Sequence, residues 1–255
     1  MNRLLVELTS PAVAALPEHG IAVLPVGAIE QHGPHLPLIT DLLVADSLAR
    51  DAVAAHGDEH ELWLLPALAC TKSDEHAWAA GTLWLSATTL MAVVHDLGRS
   101  VAKTPLRKLV FLNGHGGNSA LLNVCARQLR IDFGLATFVM HPSVPPDQGG
   151  ASPPEELGTG IHGGKDETSL VLHLRPDLVR MDLARRNVPE HLADFSRVRF
   201  GGPVTFGWTS DDFGTDGTLG DPTLADAGHG AALYEGMLRT AGESFAEIAR
   251  FTHAG

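Results

Sequence analysis

Glu30, His32 and Asp41 stand in a Gly- and Pro-punctuated stretch, VGAIEQHGPHLPLITD (Val26 to Asp41), just after an apolar run, Ile21 to Gly27, of the kind that forms a buried strand. A carboxylate and an imidazole two residues apart, with a second carboxylate beyond the turn that Gly33 and Pro34 encourage, can converge on a divalent cation. Asp41 has two oxygens and can bridge two such ions. Nothing in the loop needs these groups for packing. A second loop, NGHGGN (Asn113 to Asn118), sets His115 between glycines that let backbone pass close to an ion or substrate. A third segment, HGGKDETS, places Glu167 at a helix start, where the dipole favours its ionised form, five residues after His162. Together Glu30, His32, Asp41, His115 and Glu167 suit two borderline or hard ions such as Zn²⁺, Mn²⁺ or Fe²⁺. Two ions roughly 3.5 Å apart lower the pKa of a shared water toward ~7 and polarise a carbonyl, which is machinery for hydrolysis. His162 would then move a proton close to the ions without ligating them.

Plainer roles compete for several of these residues. NGHGGN could cradle a phosphate, but it lacks both the Lys of a Walker loop and GxGxxG spacing. His76 and His229, each taken alone, read as hydrogen-bonded loop residues, and Asp74 and Glu75 as acids solvating a turn. His35 is evenly balanced between holding a ligand carboxylate and capping its loop. Glu167 could be only a helix-start acid; ligation is preferred because the second ion would otherwise have only His32 and the shared Asp41.

The elements that must position these groups alternate. Apolar strands are expected at Ile21 to Gly27, Leu62 to Pro66, Lys108 to Leu112 and Leu135 to Met140. Helices are expected at Glu7 to Ala15, Asp41 to His56 with Thr40 as N-cap, Ala87 to Lys103, Ser119 to Ile131, from Glu167 to Pro176, and Leu224 to Phe251 with a break near Gly242. Such alternation indicates parallel βαβ units with helices on both sheet faces, and ligands then bind beyond the carboxyl ends of the strands. Residues 1–255 read as a single domain. The Pro- and Gly-rich run from His141 to Gly164 is a long irregular loop, and such loops often serve function. Its stretch from Pro142 to Gly160, with Trp78, Trp84 and Trp208, is a candidate wall for a substrate pocket.

Bulk composition narrows the partners. With 44% apolar and 19% charged residues the chain is ordinary globular material, and a net charge of −12 with scattered Lys and Arg argues against nucleic acid or an anionic membrane. No stretch nears the ~20 apolar residues of a spanning helix, and the first residues lack a long apolar leader core. Cys70 and Cys125 have no ligand spacing, so a reducing, cytoplasmic setting is the expectation.

The combination GAIEQHGPHLPLITD, NGHGGN and HGGKDETS, with SDEHAWAAGTLWLS and GTLGDPTLADAGHG in support, resembles the creatininase family of metal-dependent amidohydrolases over almost the whole chain. The resemblance implies a three-layer α/β/α fold with a mostly parallel sheet and a two-metal centre. It implies hydrolysis of an amide C–N bond in a small molecule or peptide, and a homo-oligomer, commonly a hexamer. It places metal ligands at Glu30, His32, Asp41, His115 and Glu167 and proton transfer at His162 or Glu167, and substrate contacts are expected at Ser73, His76, Gly116 and Gly117. Creatinine hydrolases resemble NGHxEN where this chain has Gly117, and carry a Trp-Asp pair where it has Gly158 and Thr159. The pattern is closer to relatives that open formamides or trim a peptide during cofactor maturation. The competing class is a metal-binding scaffold without catalysis, against which the retained ligands and His162 argue.

Overall fold

The computed structural model describes residues 3–144 and 148–253, so 145–147 of the Pro-rich segment lie outside the described residues. A short helix, α1 (Ser10–Ala14), leads to β1 (Ile21–Val26), and then follow α2 (Thr40–His60), β2 (Leu62–Leu64), α3 (Ala87–Val101) and β3 (Lys108–Asn113). The chain continues through α4 (Ser119–Phe133), β4 (Ala136–Met140), α5 (Lys165–Leu174) and α6 (Ala227–Arg250), with single 3₁₀ turns between. The four strands form an all-parallel sheet in the order β2-β1-β3-β4.

Strand sequences explain the layers. All six residues of β1 and the last five of β3 are buried, as continuous apolar strands must be when both faces are covered. Ile21, Val23, Val110 and Leu112 point to one face, where α2 and α6 pack with Leu48, Ala52 and Phe245, and where α5 adds Leu170. Ala22, Leu24, Leu109 and Phe111 point to the other, against Leu90 and Val94 of α3 and Leu122, Cys125 and Leu129 of α4. The result is the three-layer α/β/α arrangement expected from the alternation.

Two local expectations change. The Thr40 hydroxyl donates to the Pro37 carbonyl (2.8 Å) instead of capping α2, whose N-cap is Ile39, so Asp41 lies in the first turn as the sequence indicates. No break occurs at Gly242. Helix α6 runs through it because a side chain there would meet His56 of α2, its Cβ lying 2.5 Å from Nε2, so the glycine serves close helix packing rather than a bend.

The site is set by register. Strand β1 leads to β2 on one side, while β3 pairs on its other side with Val26 level with Asn113, which makes the β1/β3 border the point where strand order reverses. Gly114 N–H donates to Val26 O (2.9 Å), and the two loops that carry Glu30 and His115 leave the sheet side by side.

Candidate metal centre

Four segments deliver the five predicted ligands to one place. Glu30 and His32 come from the loop after β1, Asp41 from the first turn of α2, His115 from the loop after β3, and Glu167 from the first turn of α5. Gly33, at φ +73°, makes the turn that lets Glu30 and His32 face inward together. Among the described residues the donors here group as Glu30–His32–His162 and as two triads, Glu30–Asp41–His115 and His32–Asp41–Glu167, that share Asp41. Its Oδ1 lies 3.1 Å from His32 Nε2 and its Oδ2 lies 3.0 Å from His115 Nδ1. His115 Nδ1 is also 3.4 Å from Glu30 Oε1, and His32 Nε2 is 3.8 Å from Glu167 Oε2.

The outward ring nitrogens fix what the inward ones can do. His32 Nδ1–H donates to the Glu30 carbonyl (3.2 Å) and His115 Nε2–H donates to the Lys72 carbonyl (2.9 Å). A carbonyl can only accept, so in the neutral imidazoles His32 Nε2 and His115 Nδ1 turn bare lone pairs toward Asp41. Both Glu30 oxygens are buried and find no hydrogen-bond partner among the described residues. Buried carboxylate oxygens without donors are costly, and a cation is the partner this donor set lacks.

Charge follows the same logic. Burial pushes Glu30 up to about 8, reinforced by Asp41 and opposed by His115 and His32. Burial likewise lifts Glu167 to about 7, although a third of its side chain is open. It works against charge on His32 too, yet Asp41 wins and holds that imidazole at about 10. His115 is raised well above the usual histidine range by Glu30 and Asp41 despite its burial. For Asp41, His32 and His115 outweigh burial and hold the carboxyl well below the carboxylate range. Without a cation, protons held by neighbouring groups offset the crowding of three carboxylates.

A family model described as creatinine amidohydrolase matches residues 6–245. The chain belongs to the creatininase family. It is 35% identical over 253 residues to the mycofactocin precursor peptide peptidase of Mycobacterium ulcerans (strain Agy99), covering 96% of this chain and 92% of that protein. It is 34% identical over 181 residues to the creatinine amidohydrolase of Pseudomonas putida, covering 64% and 67%. A solved structure, creatininase Mn, superposes with a TM-score of 0.75 at 25% identity over 98% of this chain and 100% of that one. The chain is thus a creatininase-family amidohydrolase, a metal-dependent hydrolase acting on C–N bonds.

Around this family's metal cage the remaining predicted residues divide. His162 and His76 line the cavity beside Glu30, and their rings stack at 3.9 Å, with His32 4.2 Å on the other side of His162. Burial, aided by His76 and His32, keeps His162 well below the histidine range, and burial takes His76 down to about 3, so both are neutral. Gly116 lines the cavity as well, whereas Gly117 does not, and Ser73 is fully buried behind it. Glu75, read from sequence as a solvated turn acid, is instead buried, while Asp74 is exposed. His35 donates to or accepts from Thr168 Oγ1 (3.0 Å) and touches no ligand carboxylate, so it ties its loop to α5. His229 pairs with Asp166 (2.7 Å). Pro142, Ser143 and Trp208 line the cavity, while Trp84 does not and Trp78 donates to Ser210 (2.8 Å).

Sequence reasoning missed two residues. Gln31 is buried between Glu30 and His32; its carbonyl accepts from His162 Nε2 (2.6 Å) and its amide reaches His76 Nδ1 (3.0 Å). Its place inside the ligand motif was the available signal. Glu156 is a buried carboxylate whose Oε1 accepts the N–H groups of Lys165 (2.8 Å) and Asp221 (2.6 Å). It caps α5 from a distance, since Gly164 at the N-cap offers no side chain. Glu167 completes that helix start by accepting from Gly163 N–H (2.6 Å).

Proposed function

We propose that this amidohydrolase uses two divalent ions of the Zn²⁺, Mn²⁺ or Fe²⁺ type to hydrolyse an amide bond in a short peptide. The observation that carries the reading is the pair of donor triads sharing Asp41, with both buried Glu30 oxygens lacking a hydrogen-bond partner among the described residues. One ion would be held by Glu30, Asp41 and His115, the other by His32, Asp41 and Glu167. Such ions supply Lewis acidity for an amide carbonyl and a water of lowered pKa.

The chain's own residues do the rest. His162 Nε2–H is committed to the Gln31 carbonyl, which leaves Nδ1 as the free base, 3.7 Å from Glu30 Oε1 at the cavity wall. A neutral imidazole there takes a proton from the attacking water and returns it to the departing nitrogen. Glu167, whose Oε2 lies 3.8 Å from His32 Nε2, is the second candidate to carry that proton. His76, Gly116 and Trp208 line the cavity and would orient the substrate.

A peptide is favoured over creatinine on two grounds. The relatives matched over most of their length are named precursor peptide peptidases, and Gly158 and Thr159 offer no Trp-Asp pair for a small ring. The decisive experiment loads the protein with each metal and screens short peptides, formamides and creatinine by mass spectrometry. Peptide cleavage that depends on metal is expected; creatinine turnover with intact peptides would sink the peptide reading. The family's oligomer is carried over as well. Leu38, Ile39, Leu83 and Trp84 are exposed apolar residues on segments joined by the Leu83 N–H to Ile29 O bond (2.9 Å), and light scattering should report an assembly. No helix among the described residues is long and apolar enough to cross a membrane, which fits the cytoplasmic setting proposed for the enzyme.

A further inference from the structure

We infer that Glu75 is a positioning residue for His115, completing a carboxylate–imidazole–metal relay that Gly117 makes room for. The inference rests on the two-ion site proposed above. His115 directs Nδ1 at Asp41 and Glu30 and Nε2 away from them. Two acceptors meet that outer edge, the Lys72 carbonyl at 2.9 Å and Glu75 Oε1 at 3.5 Å. Both belong to one turn, and both act on the same nitrogen.

The carboxylate is itself held. Its other oxygen, Oε2, accepts from Lys72 Nζ, which also contacts Asp74 Oδ1 (2.7 Å), and the Glu75 carbonyl accepts from the buried Ser210 hydroxyl (3.3 Å). Fixed in this way, it favours the tautomer with hydrogen on Nε2, leaves Nδ1 bare for a cation and raises the basicity of the ring. Gly117 is the permissive position. A Cβ there would fall on Glu75 Oε1 and 2.5 Å from His115 Nε2, so a side chain at 117 would require the Glu75 carboxylate to leave this position. A chain with an acidic residue at that loop position would place its carboxylate from the loop itself; this chain brings one in from the turn after β2.

The test is metal titration of the full-length protein with Zn²⁺ or Mn²⁺ alone, for wild type, Glu75→Gln and Glu75→Ala. Two binding steps are expected for wild type. Glu75→Gln, which keeps volume and loses charge, should weaken the step that depends on His115 by 10- to 100-fold and leave the other in place. Glu75→Ala should weaken the same step at least as much. In Co²⁺-loaded protein the visible spectrum of one site alone should change. Wild type that takes up fewer than two ions overturns the two-ion reading. Two ions in wild type with equal affinities in Glu75→Gln overturn the role of Glu75 alone, as does equal weakening of both steps, which would mark Glu75 as a packing residue.

Discussion

The two triads are built differently although they share Asp41. Glu30, Asp41 and His115 are all buried; Glu30 and His115 sit on loops that leave neighbouring strands at the same level, and Asp41 lies in the first turn of α2. In the other triad His32 is equally buried, but Glu167 is a third open and rides on α5, whose first turn hangs from Glu156. One half is fixed by the sheet itself, the other by a helix docked after a long irregular loop. The difference teaches that, on the two-ion reading proposed above, the ions need not exchange alike, and the one beside Glu167 should be the easier to lose.

The largest effect tests what the halves share. Asp41→Ala should abolish both bound ions and turnover, read by elemental analysis and assay; a variant that keeps both ions breaks the bridging role. Next, Glu167→Gln should remove the second ion only and lower kcat by more than ~100-fold, beyond the range of an outer-shell partner. Glu156→Ala strips two buried N–H groups of their acceptor, costing about 3 kcal/mol, and should weaken the same ion by about 10-fold. Glu156→Gln keeps an acceptor oxygen and should stay near wild type in melting temperature and metal content. The smallest effect is on protons. His32 at about 10 must release a proton before a cation can bind, so affinity should rise with pH toward that value and fall below it. Calorimetry in buffers of unequal ionisation enthalpy reads the protons released. By the same sign, the metal-free protein holds the stabilisation from His32 fully below the unfolded value of about 6.5 and loses it as pH rises through about 10.

The strands and the convergence of Glu30, Asp41 and His115 were legible because both are local signals. Unbroken apolar runs such as Ile21 to Val26 mean strands covered on both faces, and polar residues directly after them fall at one sheet edge. Glu75, Gln31 and Glu156 were not legible in their roles. The partners of Glu75 and Glu156 include His115 and Asp221, remote in sequence, and a turn acid looks the same whether it faces water or an imidazole. Gly242 misled for a related reason: local propensity marks a glycine as a helix breaker, while only the packing of α6 on α2 reveals a close approach to His56.

That the five proposed ligands come from four segments, the first after β1 and the last on α5, has a consequence for how the enzyme matures. A parallel sheet closes slowly, because its strands pair only after a helix has crossed over between them. The cage therefore has no precursor in the unfolded chain: the sheet must bring His115 beside Glu30, and α5 must dock to add Glu167. Cation uptake would then be a clock for the last stage of folding, with the sheet-borne ion arriving first and the ion of α5 marking completion.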